Sequence, residues 1–235
     1  VRIVSFQEGT RGTVKIGSDA GSFFLFRLAY LSDAACADPS FWARAAEACA
    51  EIPEAMAADI AAACAATAAE RLALSRLALR ERTRTELERY LERKEHEAFP
   101  VKRALDRLEE EGLLSDKRFA EAWIRHRLSS RPEGPILLRS RLAAKGVGRE
   151  LAAGTVKENA DAVSEGLRRA ASSILRKESR QRGIEGFPIG QAKRDLQASI
   201  YKKLRQRGFS HPEVRTIIKE MLTDSTDFPE SDGST

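Results

Sequence analysis

The 235-residue chain is poor in the residue types on which several classes of protein depend. It has three cysteines, Cys36, Cys49 and Cys64, an odd number set in alanine-rich sequence. Their spacing suits neither a disulfide framework nor a thiolate metal site, so they read as small, buried apolar filler in a reducing setting. The three histidines, His96, His126 and His211, have no ligand spacing among them, and no metal or other cofactor is expected. Aromatic residues make up 6%, which suits thin helical layers better than a thick enzyme core. No stretch approaches the roughly 20 apolar residues of a membrane span. The most apolar run near the start, 23–31, is short and contains Arg27; it lacks the basic leader and cleavage site of a signal peptide. Also missing are the Gly-x4-Gly-Lys-Ser/Thr phosphate loop, a zinc-spaced histidine pair and a nucleophile elbow. The adjacent carboxylates Glu109-Glu110-Glu111 point in different directions on a helix end and read as solvated charge, not as a general acid and base. The expectation is a soluble, cytoplasmic binding protein and not an enzyme.

Charge, by contrast, is abundant and uneven. Charged residues make up 32% and the formal net charge is +5. Residues 1–66 hold five basic and eight acidic groups, and 223–235 hold four acids and no base, so 67–222 carries +12. Within it, 167–207 has twelve Lys and Arg against three acids. A field of that sign points to an anionic partner.

The first thirty residues read as strands: 1–6 and 13–16 are β-rich or alternating, 22–30 is dense in aromatics, and Gly9, Gly12, Gly17 and Gly21 punctuate them. Three strands with one apolar face need a cover, which the following helices supply. Asp38 or Ser40 can cap a helix to about Ala50, and Pro53 opens a long helix over about 54–79. Its alanine-rich part, 55–69, has high helix propensity but few large side chains, and reads as a connector.

From there one apolar pattern occurs three times: Leu87, Leu91 and Leu105; Leu138, Leu142 and Val156; Ile200, Leu204 and Ile218. In each, the second residue follows the first by four, on one helix face, and the third follows by fourteen, across a turn. Val101, Ala152 and Val214 each sit ten after the second anchor. Punctuation agrees: Thr83–Glu86 and Ser210–Glu213 have capping-box spacing, Gly134-Pro135 opens the middle repeat's second helix, and Lys145-Gly146 and Arg207-Gly208 close that helix in repeats two and three. The first copy has Lys94-Glu95 instead, which predicts a differently built helix end. The fold class expected is mainly α: three tandem three-helix repeats in an elongated arrangement, preceded by a small β-rich N-terminal subdomain. The boundaries read as 1–66 for the β-rich part with the Ala-rich helices, 67–112, 113–160 and 161–222 for the repeats, and 223–235 for an acidic, disordered tail.

Basic residues on the repeats form the candidate partner or DNA-binding set. In the last repeat, Leu196, Ile200 and Leu204 form the inward stripe and Arg194, Tyr201 and Arg205 a second one, with Lys202, Lys203 and Arg207 nearby; the middle repeat adds Arg139, Arg141 and Lys145. Arginines with an interleaved tyrosine suit phosphates and stacked bases, and equally an acidic protein face or plain solvated surface. Trp123 reads as core beside Phe119.

The run from Gly112-Leu113-Leu114-Ser115-Asp116 to Phe119-Ala120 is similar to the Gly-Leu-x-Asp-Asp-x-x-Phe-Ala signature of the RecX family. The run from Gly134-Pro135 through Leu142 to Lys145-Gly146-Val147 resembles that family's second signature, and Thr85-Glu86-Leu87 its first-repeat segment. Residues 70–157 carry the resemblance well and 158–222 more weakly, with Ser115 standing where the family has a first acid. The resemblance implies a monomeric modulator of the RecA recombinase that binds the RecA–single-stranded DNA filament and restrains strand exchange and co-protease activity. It implies weak, sequence-indifferent DNA contact. The alternatives are a helix-turn-helix protein reading duplex sequence as a dimer and a helical scaffold with no nucleic-acid contact.

Overall fold

The computed structural model describes residues 1–184 and 188–223; the expected acidic tail therefore lies, from 224 on, outside the described residues. The described chain has one three-stranded antiparallel sheet and ten α-helices. It divides into two compact units, one through Asp116 and one from Lys117.

In the first unit, β1 (Ile3–Glu8), β2 (Thr13–Ser18) and β3 (Phe23–Arg27) form a meander in sequence order. Alternation buries Val14, Ile16 and Phe26 on one face. The third predicted strand is shorter than its aromatic content suggested, because Leu28–Tyr30 turns into a 3-10 helix. Helix α1 (Pro39–Glu47) starts at Asp38, whose carboxylate accepts from the Ser40 N–H at 2.9 Å. It ends before the predicted Ala50, and Cys49 takes φ 48° in the turn. Trp42 of α1 is fully buried edge-on against Phe26, with its Nε1 donating to the Cys36 carbonyl at 2.7 Å. The cysteines are free, but only Cys36 is buried; Cys49 is exposed, contrary to the filler reading.

Helix α2 (Glu54–Leu77) is no mere connector. Ile60, Ala63 and Ala66 close the core under the sheet, while Ala69 and Ala73 belong to a second core with α3 (Arg84–Glu92) and α4 (Ala98–Glu110). Alanine at these positions lets two layers approach one helix closely, which the paucity of large side chains had concealed.

An ionic clamp ties the sheet to α4. Arg27, at the end of β3, reaches Glu70 of α2 at 2.7 Å and Glu111, just past α4, at 2.6 Å. Arg11 pairs with Glu111 too, Arg107 adds a bond at 2.9 Å, and the Tyr30 hydroxyl donates to Glu70 at 2.6 Å. Burial opposes the Arg27 charge, but the bonds to Glu111 and Glu70 outweigh it and raise its pKa. Burial followed by the bond to Glu70 pushes the Tyr30 hydroxyl well up. Burial works against the Glu111 carboxylate, and the cations around it still hold it below its usual value. The reading of 109–111 as solvated charge is thus corrected: Glu111 is a structural ion-pair partner, and Glu109 pairs with Arg84 at 2.6 Å.

The second unit contains α5 (Asp116–Ser130, entered from the last residue of the first), α6 (Pro135–Ala144), α7 (Arg149–Glu158), α8 (Ala160–Gln181), α9 (Gly190–Gln206) and α10 (His211–Met221). Helix α8 is the longest of the six, at 22 residues. One core runs through all six helices, from Phe119 to Leu222, with Trp123 only partly buried against it.

All nine repeat anchors are buried, as are Val101, Ala152 and Val214. The turns that follow the second anchors share their backbone bonds. The amides of His96, Val147 and Phe209 donate to the carbonyls of Leu91, Leu142 and Leu204 at 3.2, 3.1 and 3.4 Å. The residues before them have φ 62° at Glu95, 90° at Gly146 and 82° at Gly208. The expectation that the first copy ends differently is therefore wrong: Glu95 adopts the left-handed conformation that the other two copies give to glycine. Left-handed geometry costs an L-residue about 1–2 kcal/mol, partly offset in any glycine replacement by unfolded-state entropy. We expect Glu95→Gly to raise stability by about 0.5–1 kcal/mol in urea unfolding; a loss would mean that the Glu95 side chain contributes more than its backbone costs.

Candidate nucleic-acid interface

The last helix pair carries a cationic groove in the second unit. Helix α9 buries Leu196, Ile200 and Leu204 in one stripe. Gly208 then reverses the chain, and Ser210 opens α10 with a complete capping box: its hydroxyl accepts from the Glu213 N–H at 3.4 Å and its own N–H donates to Glu213 at 2.8 Å. Helix α10 buries Val214, Ile217, Ile218 and Met221. The turn is further fixed by the middle helices. Gly134, at the start of α6, donates its N–H to the Arg207 carbonyl at 2.7 Å, and a Cβ there would sit 2.3 Å from the Gly208 backbone.

Between α9 and α10 lies a groove of 620 Å³. Arg194 and Tyr201 enter it from α9, Arg215 and Lys219 from α10, and among the described residues no carboxylate lines it. The Arg194 guanidinium donates to Gln191 Oε1 at 2.8 and 3.1 Å, which holds it without neutralising it. The Tyr201 hydroxyl bonds His211 Nδ1 at 2.6 Å, and the two rings meet edge-on. Lys193, at the groove's end, donates to the Leu222 carbonyl at 2.9 Å and so caps α10. An aromatic ring flanked by guanidinium and ammonium groups can bind phosphate oxygens and present a face to a base.

The remaining sequence-predicted residues are scattered. Lys202 and Arg205 are exposed on α9, but the Arg205 guanidinium donates to the Phe209 carbonyl at 2.6 Å. Lys203 points elsewhere, onto buried Glu178 of α8, which also takes Arg182 at 3.1 Å and the Ser199 hydroxyl at 2.8 Å. Arg207 is half-buried, and burial followed by repulsion from Arg131 lowers its pKa. On α6, Arg141 lies 2.8 Å from buried Glu133 as an ion pair without hydrogen-bond alignment, while Arg127 bonds the other oxygen at 2.6 Å. Arg139 turns back to the Pro135 carbonyl at 3.3 Å and lines a separate hollow. Lys145 sits 5.8 Å from the Phe119 ring. Of the nine, the structure brings only Arg194 and Tyr201 together in the groove. Sequence reasoning missed Arg215 and Lys219, whose i, i+4 spacing on the exposed side of α10 was the available signal.

These features define a class: a helical-repeat protein with a small β-sheet and a cationic groove in its last helix pair. Residues 115–155 match the family model described as RecX, second three-helix domain, which spans α5 to α7. The regulatory protein RecX of Mycolicibacterium smegmatis is 30% identical over 154 residues, which cover 66% of this chain and 79% of that relative. That of Chromohalobacter salexigens is 35% identical over 143 residues, 61% of this chain and 86% of the relative. A crystal structure of regulatory protein RecX superposes with a TM-score of 0.66 at 20% identity, covering 94% of this chain and 100% of the other. RecX from Lactobacillus salivarius gives 0.57 at 22% identity over 68% and 97%. The chain belongs to the RecX family of regulatory proteins.

The Glu178 cluster makes a pH prediction. Lys203 first, then Ser199 and, more weakly, Arg182 pull its carboxyl from the ordinary 4.5 down to about 2, against the opposing effect of burial. A depressed carboxyl stabilises the fold above its unfolded pKa, and that contribution fades as pH falls from 4.5 towards 2. Glu178→Gln should therefore be less stable than the parent at neutral pH, with the difference shrinking across that window in urea unfolding. A difference independent of pH would remove the ion-pair account.

Proposed function

We propose that the chain regulates a RecA-type recombinase by binding its filament on single-stranded DNA and restraining it. Family membership supports the regulatory part of this reading. The observation that carries the DNA part is the groove between α9 and α10, where Arg194, Arg215 and Lys219 surround Tyr201 and which, among the described residues, no carboxylate lines. Such a surface gives affinity for a sugar-phosphate backbone with little base preference, because phosphate contacts position a strand without reading its sequence. The same proposal includes three tandem modules, 67–112, 113–160 and 161–222, presenting successive faces to a periodic partner, and a monomer that works in the cytoplasm in DNA repair, without catalysis of its own.

The test uses preformed recombinase filaments on single-stranded DNA. The protein should bind them and lower ATP hydrolysis or filament length at stoichiometric amounts. Arg194→Ala combined with Arg215→Ala should weaken that binding at least about tenfold, equivalent to about 1.4 kcal/mol, with unchanged helicity. No binding and no effect by the parent protein would remove the reading; sequence-dependent duplex binding by a dimer would replace it with the helix-turn-helix alternative.

A further inference from the structure

We propose that the first unit carries a second, separate site for the phosphate backbone of single-stranded nucleic acid, an arginine pocket between the end of α2 and α3. Arg76, Arg80 and Arg82 reach it from the end of α2 and the segment after it, Arg89 and Arg93 from α3, around the ring of Tyr90. The pocket encloses 330 Å³.

Five guanidinium groups face one carboxylate, Glu86, which lies 3.6 Å from Arg80 and 3.7 Å from Arg82. Among the described residues, no carboxylate pairs with Arg76, Arg89 or Arg93, in contrast with neighbouring Arg84, which is held by Glu88, Asp106 and Glu109 at 2.9, 2.7 and 2.6 Å. Like charges gathered without counter-charge repel one another, and an anion relieves that repulsion on binding. The charge is all arginine, whose planar fork matches phosphate oxygens two at a time.

The aromatic element favours a nucleic acid over an acidic protein segment. Arg76 lies 4.3 Å over the Tyr90 ring, so a cation–aromatic contact stands beside the guanidiniums of Arg89 and Arg93. Unstacked bases pack on such planes, whereas a carboxylate side chain has no use for them. The pocket shares no residue with the α9–α10 groove, which belongs to the other unit.

The test is fluorescence anisotropy of the full chain with a labelled oligothymidylate and no recombinase present, so that it stands or falls apart from filament regulation. Changing Arg76, Arg89 and Arg93 together to Gln should weaken binding at least about tenfold at low salt. It should also reduce the salt slope by about 2, at about 0.7 for each phosphate of a single strand that is no longer neutralised. Glu86→Gln should do the reverse and tighten binding, a sign that loss of folding cannot imitate; thermal melting verifies that each variant is folded. Unchanged affinity in the folded triple variant overturns the proposal. So does a polyglutamate peptide that displaces the oligonucleotide as well as unlabelled oligothymidylate of equal charge, since it would assign the pocket to an acidic protein.

Discussion

A carboxylate removed from water must find cations, and in this protein that requirement decides which basic residues remain for a partner. Glu70, Glu133 and Glu178 are all buried. Each gathers basic groups: Glu70 takes Arg27, Glu133 takes Arg127 and Arg141, and Glu178 takes Lys203 and Arg182. Removing one partner from a buried pair strands a charge at a cost of about 3–5 kcal/mol, less where the cation is half-exposed as Arg141 and Lys203 are. These cations belong to the fold. Arg194, Arg215 and Lys219 in one unit, and Arg76, Arg89 and Arg93 in the other, pair with no carboxylate among the described residues and line open grooves. Net charge alone, however uneven along the chain, does not distinguish the two groups.

The scaffold holding these grooves is a single turn used three times. A buried leucine lies in the last turn of the first helix of each pair, the amide five residues on returns to its carbonyl, and the residue just before that amide adopts a positive φ. That geometry sets the direction of the next helix and so aligns Arg215 and Lys219 with Arg194 and Tyr201. Packing reinforces it: Gly134 lies so close to the Gly208 backbone that no side chain fits between them. In the first unit the clamp of Arg27, Glu70 and Glu111 plays the corresponding part, fastening the sheet to α2 and α4.

Much of this was legible in the sequence, because anchors spaced at four and fourteen report a local helix period and a fixed turn length, and all nine are buried. Capping boxes and terminal glycines act within a few residues, which is why the helix starts at Ser210 and Pro135 were found. The failures concern interactions distant in sequence. Arg27 and Glu111 are 84 residues apart, so Glu111 looked like one of three solvated acids. Lys203 shares a helix with Arg194 yet meets Glu178, 25 residues earlier. Alanine's small volume marked α2 as a connector, although smallness is what lets two cores share it. Glu95 was misread because the left-handed position favours glycine without excluding other residues.

The division between structural and free cations can be tested by comparing two charge-matched variants, Arg141→Gln with Lys203→Gln, and Arg215→Gln with Lys219→Gln, for urea stability and for affinity to single-stranded DNA below the unfolding transition. The account predicts that the first pair loses stability and keeps most of its affinity, whereas the second keeps its stability and loses affinity. The opposite pattern, or equal losses of both properties in both variants, would contradict it.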